Sequence, residues 1–336
     1  MNIFIKNVLT ELADGAFHSE QKIARKLRIT ENTLKQIIEQ IQQLGIDLIT
    51  EKNQNLEYKI KHPIEFLNKN TIVKYLDAKY LTLGEQIEVL ETVDSTNNYL
   101  MRKINPSSTE IQICLAEHQT LGRGRLGRKW FSPYGRNIYL SLKKQFFIEI
   151  GAINGLGLAI AISVIKTLAE CGIIENLSIK WPNDILWHNR KLAGILVENS
   201  GELNGLCQTT IIGIGLNTGM VENNDINQPW CDISQIPNLV FSRNQLAGTI
   251  LSGLIKTLEI FQLHGMKAFV KNWQKFDPTY KKKIILITPS GKKITGVNFG
   301  IDVEGNLLVQ KNGKILRFSC GEISLPLPAT YDAIAN

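Results

Sequence analysis

Cysteine is scarce in this chain and scattered. Five occur in 336 residues, at Cys114, Cys171, Cys207, Cys231 and Cys320, and no two form a CxxC pair. An odd count without paired spacing excludes a disulfide framework and a structural zinc. It predicts reduced thiols in a cytoplasmic chain. Long hydrophobic runs are missing too. None reaches the roughly 18 residues a bilayer span needs, so no membrane partner is expected. The opening MNIFIKNVLTELADGAFHS carries one early lysine and no small-residue cleavage site, and no signal peptide is expected there. The common nucleotide loops are absent as well. No Gly-Lys-Ser/Thr closes a glycine-rich run, and no GxGxxG opens a βαβ unit.

What is present is an ordinary globular composition, 43% hydrophobic and 21% charged, long enough for two or three domains. The net charge of +7 is unevenly spread. Residues 1–65 hold nine Lys/Arg and nine Asp/Glu. Residues 116–144 hold seven cations against Glu117 alone, and residues 271–330 hold ten against four acids. The first basic cluster points to phosphate and the second to an acidic partner.

Hydrophobic periodicity divides the chain into three. FIKNVLTELADG has helical spacing and stops at Gly15. HSEQKIARKLRI reads as a short helix capped by Ser19. Thr30 caps a third helix with an apolar stripe at Leu34, Ile37, Ile38, Ile41 and Leu44. IDLITEKNQNLEYKI follows as two strands around a polar turn. This succession resembles a winged helix-turn-helix over 1–62. From 63 to 276, strands and helices intersperse without strict alternation, which predicts an α+β catalytic domain on a mixed sheet. Residues 277–330 read as five short strands with turns at Ser290-Gly291, Glu304-Gly305 and Asn312-Gly313, an SH3-like β-barrel.

Four stretches carry chemistry. GRGRLGRKWFSP, residues 122–133, sets Arg123, Arg125, Arg128 and Lys129 among glycines 122, 124 and 127. The glycines allow positive φ and close approach, and the arginine forks suit phosphate or carboxylate. A solvated basic loop and a nucleic-acid patch fit the cations equally, but Trp130 and Phe131 add a wall on which an adenine stacks. KWPNDILWHNRKLAGILVE, 180–198, reads as two strands around Pro182-Asn183-Asp184. Such a hairpin brings Lys180 near Lys191, with Asp184 as a candidate Mg²⁺ ligand and Gly194 leaving room for a ligand on the strand. DSTNN, 94–98, places Ser95, Thr96 and Asn97 at a helix start, as caps or as partners of a polar head group. IIGIGLNTG sets Gly213 and Gly215 inside an apolar strand, implying close approach to the backbone, and ends on Asn217.

GRGRLGRKWFSP, KWPNDI, RKLAGILVE and IGIGLN, in this order and spacing, resemble the biotin–protein ligases. With the N-terminal helix-turn-helix and the closing GEISL, the resemblance is to the bifunctional ligases that also repress a biotin operon, and it covers nearly the whole chain. It implies a two-step reaction. Biotin and ATP, with Mg²⁺, form biotinyl-5′-AMP; a lysine of the biotin carboxyl carrier protein of acetyl-CoA carboxylase then takes the biotin. It implies that Ser95, Thr96, Asn97 and Gln119 bond the biotin head and that Arg123, Gly124, Arg125 and Gly194 line its site. Arg125, Arg128, Trp130, Lys180, Asn183, Asp184 and Asn217 fall to ATP and the adenylate. Lys191, Arg125 and Arg128 are then the catalytic cations, and the 122–128 loop opens and closes over the adenylate.

The resemblance further implies a homodimer when adenylate is bound and binding to operator DNA. Lys22, Arg25 and Lys26 would meet phosphates, and Asn32, Thr33, Lys35 and Gln36 would face bases. The third helix offers only Lys35 as a cation, and KNQN, the turn between the two strands, lacks the glycines that a tight wing tip would favour. A lipoate–protein ligase shares the adenylate logic, and a non-catalytic biotin-sensing transcription factor is the reading from another class. Lys191 and the three arginines speak for retained catalysis.

Overall fold

The computed structural model describes residues 3–52, 55–105, 109–146, 153–173, 175–203, 207–221 and 226–324. The tip of the KNQN turn at 53–54 and the end of the tail from 325 lie outside the described residues. Two compact units account for the chain. The first takes 1–143, 211–227 and 232–249; the second takes 144–210, 228–231 and 250–336.

The first unit begins with three helices, α1 (Ile3–Leu12), α2 (Glu20–Leu27) and α3 (Glu31–Gln43). Their apolar residues recur every three or four positions and close on one another: Ile5, Val8, Leu9 and Leu12 of α1 meet Leu34, Ile37, Ile38 and Ile41 of α3. Thr30 caps α3 as its sequence predicts, its side chain accepting from the Thr33 amide. Ser19 does not cap α2. With His18 it forms a short strand, β1 (His18–Ser19), and makes no side-chain cap bond. β2 (Leu48–Lys52) and β3 (Leu56–Ile60) complete a three-stranded antiparallel sheet in the order β1-β3-β2.

This segment shares its core with the rest of the unit. Ile64 and Tyr134 belong to the same apolar cluster, the Ile64 amide bonds Ala13 O at 2.9 Å, and Lys6 and the Tyr134 hydroxyl both reach Glu91. A short helix α4 (Lys69–Val73) and a 3₁₀ turn lead to β4 (Ile87–Val93), α5 (Thr96–Arg102), β5 (Gln112–Gln119) and β6 (Ile138–Phe146). β4 pairs parallel to β5 through the α5 crossover, and β5 pairs antiparallel to β6, so the sheet is mixed as expected. Strands here run in the order β4-β5-β6-β10, where β10 spans Cys207–Leu216.

A buried ion pair ties this sheet to α7 (Arg243–His264). Arg243 donates to Glu117 at 2.9 Å, to Asn137 O at 2.7 Å and to Glu65 O at 2.6 Å, while Glu117 also accepts from the Leu67 amide. The two side chains are only 5% and 2% exposed.

In the second unit, α6 (Leu156–Glu170) is apolar almost all round and correspondingly buried. KWPNDILWHNRKLAG forms three strands rather than two: β7 (Leu177–Lys180), β8 (Asp184–Trp187) and β9 (Arg190–Leu203), in the order β9-β8-β7. The second turn is His188-Asn189, both at positive φ (47° and 60°), the twist a two-residue hairpin requires. Lys180 therefore pairs with Asp184 across β7–β8, and Lys191 lies opposite Leu186 across β8–β9. The single hairpin expected to bring Lys180 beside Lys191 is not formed.

The part of α7 in this unit and α8 (Val270–Phe276) bury Phe261 and Trp273. The stretch Arg243–Ala268 is long and apolar enough to cross a membrane by length and composition, yet 61% of its 18-residue apolar window is buried inside the protein. The tail forms five antiparallel strands, β11 (Lys283–Ile287), β12 (Lys293–Ile301), β13 (Leu307–Lys311), β14 (Lys314–Phe318) and β15 (Glu322–Ser324), ordered β14-β13-β12-β11-β15. Gly291, Gly305 and Gly313 all take positive φ at the three expected turns.

The Arg243–Glu117 pair carries a measurable expectation. Arg243→Met leaves a buried carboxylate without its cation, which costs about 3–5 kcal/mol. Urea unfolding followed by fluorescence should show that loss, and Arg243→Met with Glu117→Gln should recover most of it.

Candidate functional site

In the first unit the site grows from the junction of β4 and α5. Ser95, Thr96 and Asn97 open α5, and all three are buried. Ser95 is the N-cap by backbone geometry but makes no side-chain cap bond. Asp94 just before it takes both terminal nitrogens of Arg102 at 2.8 Å, and this guanidinium holds its carboxyl well below the usual carboxylate range.

A polar relay fixes the other groups. Gln119 Oε1 accepts from the Thr96 amide at 2.9 Å, and Gln119 Nε2 donates to Ser132 Oγ at 3.0 Å. Ser132 Oγ in turn donates to Trp130 O at 3.0 Å. From β6, Ser141 Oγ donates to Asn97 Oδ1 at 2.6 Å and lies 2.7 Å from Thr96 Oγ1. The relay thus joins all the expected head-group residues except Ser95. It also brings in Ser132 and Ser141, which nothing in their local sequence singled out.

The 122–130 loop folds as a small closed hairpin. Trp130 N bonds Gly122 O at 2.8 Å, Gly124 N bonds Arg128 O at 2.7 Å, and Arg123 bridges Lys129. Of its glycines only Gly127 has positive φ (73°); Leu126 shares the left-handed region at 55°, and Gly124 is extended. Gly122 is needed for space, since a Cβ there would lie 2.5 Å from Ser132 Oγ. Arg123 and Arg128 are exposed and Arg125 half-buried, so the three guanidinium groups sit where an anion reaches them.

The glycines of β10 allow the close approach to the backbone that the sequence implies, and side chains of the protein itself make it. The space beside Gly213 is filled by the Asn97 amide, and a Cβ on Gly215 would meet the Trp130 indole at 2.5 Å. Asn217, buried at the end of β10, accepts from the Ile233 amide at 3.1 Å. His118, half-buried with its Nδ1 unbonded, has its pKa lowered by burial.

The second unit holds Lys180, Asn183, Asp184, Lys191 and Gly194. Lys191 Nζ and Asp184 Oδ1 lie 3.0 Å apart, both side chains 15% exposed. The Lys191 backbone is fixed by Pro229 O and by the Cys231 amide. Asn183 donates from Nδ2 to Ile195 O at 2.8 Å, pinning β9, a structural use of this turn residue. Trp181 is buried and donates to Gly305 O at 3.2 Å. Gly194 faces Asp184 in the register. Among the described residues no three His, Cys, Asp or Glu side chains gather as a metal site.

The candidate nucleic-acid residues lie in α2 and α3. Lys22, Arg25, Asn32, Lys35 and Gln36 are exposed. Lys26 is held by Glu11 at 2.6 Å, and Lys35 stands 3.8 Å from the buried Glu20. The Thr33 hydroxyl is 2.8 Å from Thr30 Oγ1, so it serves the helix cap.

Residues 89–217 match the model of the biotin/lipoate A/B protein ligase family. The bifunctional ligase/repressor BirA of Salmonella typhimurium is 35% identical over 320 residues, 95% of this chain and 96% of that protein. BirA of Escherichia coli is 36% identical over 94% of each. A solved biotin protein ligase from Aquifex aeolicus, in complex with biotin and ATP, is 27% identical and superimposes with a TM-score of 0.59. It covers 71% of this chain and 98% of its own. With the mixed sheet, the arginine-glycine loop and likeness along nearly its full length, the chain belongs to the biotin/lipoate A/B protein ligase family.

Proposed function

We propose that this chain attaches biotin to a lysine of a biotin carboxyl carrier protein, that of acetyl-CoA carboxylase, and represses transcription in response to biotin. The observation that carries the reading is identity of 35–36% with two bifunctional ligase/repressors across about 95% of the chain. In the first step a carboxylate oxygen of biotin attacks the α-phosphorus of ATP. The bond to the β-phosphate breaks, and pyrophosphate leaves. In the second, the carrier's ε-amine attacks the carbonyl carbon of biotinyl-5′-AMP, AMP leaves with the bonding pair, and the amine loses a proton.

Both reacting groups of the first step are anions, so catalysis needs fixed cations at the forming bond. Arg125 and Lys191 take that role in this reading, Arg128 meets the other phosphates with Lys180, and Trp130 covers the adenylate. Thr96, Asn97 and Gln119, locked into one relay, present a preset pattern to the ureido head, with Ser95 beside them. An analogue lacking a matching group would leave a buried polar atom unpaired. Arg123, Gly124 and Gly194 line the biotin chain, and Asn217 stands beside the nucleotide.

The loop's exposed arginines and the left-handed Leu126-Gly127 pair support opening for substrate and closing over the adenylate, which shields the anhydride from water. Mg²⁺ enters with the nucleotide phosphates, where it supplies charge neutralisation. Asp184, its one expected protein ligand, is engaged by Lys191 and does not fit that role unaided.

We assign residues 1–62 to a winged helix-turn-helix, 63–276 to the catalytic domain and 277–330 to an SH3-like barrel, and we place the protein in the cytoplasm. In this assignment Lys22, Arg25 and Lys26 hold phosphates, and Asn32, Lys35 and Gln36 face bases, as a homodimer formed with adenylate bound. Thr33 is the weakest member, its hydroxyl being occupied by the cap.

Three outcomes test these roles. Lys191→Ala should lower biotin-dependent pyrophosphate release by roughly 10²–10³-fold, as loss of a preorganised charge partner does; wild-type release removes the assignment. Arg125→Gly should leak biotinyl-AMP, detectable by chromatography of the filtrate; complete retention contradicts the clamp. A mobility-shift assay on DNA upstream of the organism's biotin genes should retard only with biotin and ATP present, and the band should weaken steeply with salt. No band at low salt removes the repressor half while leaving the ligase.

A further inference from the structure

A cavity of about 600 Å³ lies in the first unit, and none of the residues assigned to biotin and ATP lines it. One wall is the segment His62–Glu65, where the chain leaves the N-terminal helices. Another is Thr218–Met220, which directly follows Asn217. Between them stands Arg136, three-residue neighbour of Pro133 at the end of the arginine loop.

Arg136 is a buried cation with no acid in contact; the exposed Asp47 acts on it only from a distance. Arg136 is 7% exposed, and its hydrogen bond is to a neutral partner, His62 O at 3.1 Å. No carboxylate lies within ion-pair distance among the described residues. The acids that line the cavity are already engaged. Glu65 accepts from Ser242, Asn244 and the Arg243 amide, and Asp14 holds His18. Burial and the like charge of Arg243 lower the pKa of Arg136, and the Asp47 carboxylate opposes that shift without cancelling it. Arg243 itself is paired with Glu117, yet its buried Nε has no hydrogen-bond partner. His62 is pushed toward its neutral form by burial and by Arg136.

A buried guanidinium with no acid in contact is unfavourable unless a ligand supplies the missing contact. Here the space beside it is large enough to admit a small molecule. Its walls supply an oxyanion-binding fork at Arg136 and apolar surface from Pro63, Ile64, Met220 and Phe241.

We propose that this cavity is an effector site for a small organic anion, its carboxylate or phosphate head on Arg136 and its apolar body against Ile64, Met220 and Phe241. The occupant touches both the His62–Glu65 segment and the segment after Asn217. It thereby ties the N-terminal helices to the strand end that carries Asn217, and its binding stabilises that arrangement.

The test is thermal unfolding of the full chain, without biotin or ATP, in phenyl phosphate or inorganic phosphate at constant ionic strength. Phenyl phosphate should raise the midpoint of the wild type by several degrees and bind more tightly than inorganic phosphate. The shift should persist in Arg125→Gly, which removes a fork of the loop, and vanish in Arg136→Gln. Arg136→Lys, which keeps the charge but not the fork, should bind about tenfold more weakly. Without ligand, Arg136→Gln should melt no lower than the wild type, because an uncompensated charge has been removed. The proposal is overturned if neither probe shifts the wild type, if Arg136→Gln responds as the wild type does, or if the shift is lost in Arg125→Gly. Equal affinity for the two phosphates overturns the apolar half. A ligand-free Arg136→Gln that melts many degrees lower shows that Arg136 is a structural hydrogen-bond donor only.

Discussion

Two missing Cβ atoms on one strand govern the geometry of the candidate site. β10 has glycine at 213 and 215, on the same face of the strand. The first makes room for the Asn97 amide and the second for the Trp130 indole. A side chain at either position would displace the residue now occupying it. With Asn97 goes its bond to Ser141, and with Trp130 goes the carbonyl that accepts from Ser132. Because Ser132 also accepts from Gln119, which orders Thr96, both ends of the relay lean on the same bare strand. Steric freedom in the strand is thus converted into fixed hydrogen-bond geometry at a distance from it. Such preset geometry is what recognition of a small polar head group requires.

The charges divide by cost. Arg123 and Arg128 are solvated, so holding them ready costs little, and they gain strength only when a ligand excludes water. Lys191 is largely buried but is held by Asp184, which keeps its cation acceptable until a stronger anion competes. Arg243 is more deeply buried and correspondingly better satisfied, with an acid and two carbonyls. Arg136 breaks this gradation. It is nearly as buried as Arg243 but has a single neutral acceptor, and that imbalance singles out the cavity beside it.

Local features of the sequence were readable where one physical rule acts alone. The α3 stripe follows from helical period and the Thr30 cap, and the five-stranded tail follows from glycine at three turns. The arginine loop, the helix start at Ser95 and the strand ending on Asn217 lie where the motifs put them. What escaped depends on partners remote in sequence or on conformations no glycine announces. The His188-Asn189 turn takes positive φ with ordinary side chains, so β8 and β9 read as one strand, and Lys180 was paired with the wrong neighbour. Ser132, in the segment after Trp130, and Ser141, on β6, are unremarked in their local sequence, and they gain meaning only when the fold sets them against Gln119 and Asn97. Arg243 and Glu117 are 126 residues apart, and no local pattern joins them.

Arg136 belongs to the same class and shows why sequence alone misjudges charge. In the sequence it is one more cation in the basic cluster 116–144, and the natural inference assigns the whole cluster to one phosphate-bearing ligand. The fold splits that cluster. Arg123, Arg125 and Arg128 stay on the hairpin, whereas the turn at Tyr134–Asn137 carries Arg136 inward beside the His62–Glu65 segment. The split follows from packing. Tyr134 is drawn into the apolar cluster of the N-terminal helices and bonded to Glu91, and Gly135 lies against Ile64, where a Cβ would meet its side chain at 2.9 Å. Once Tyr134 and Gly135 are committed to that contact, the next residue enters the cavity whatever its charge. A cation buried at such a position, with a cavity beside it, is placed to meet a second anion, distinct from the one that meets the loop.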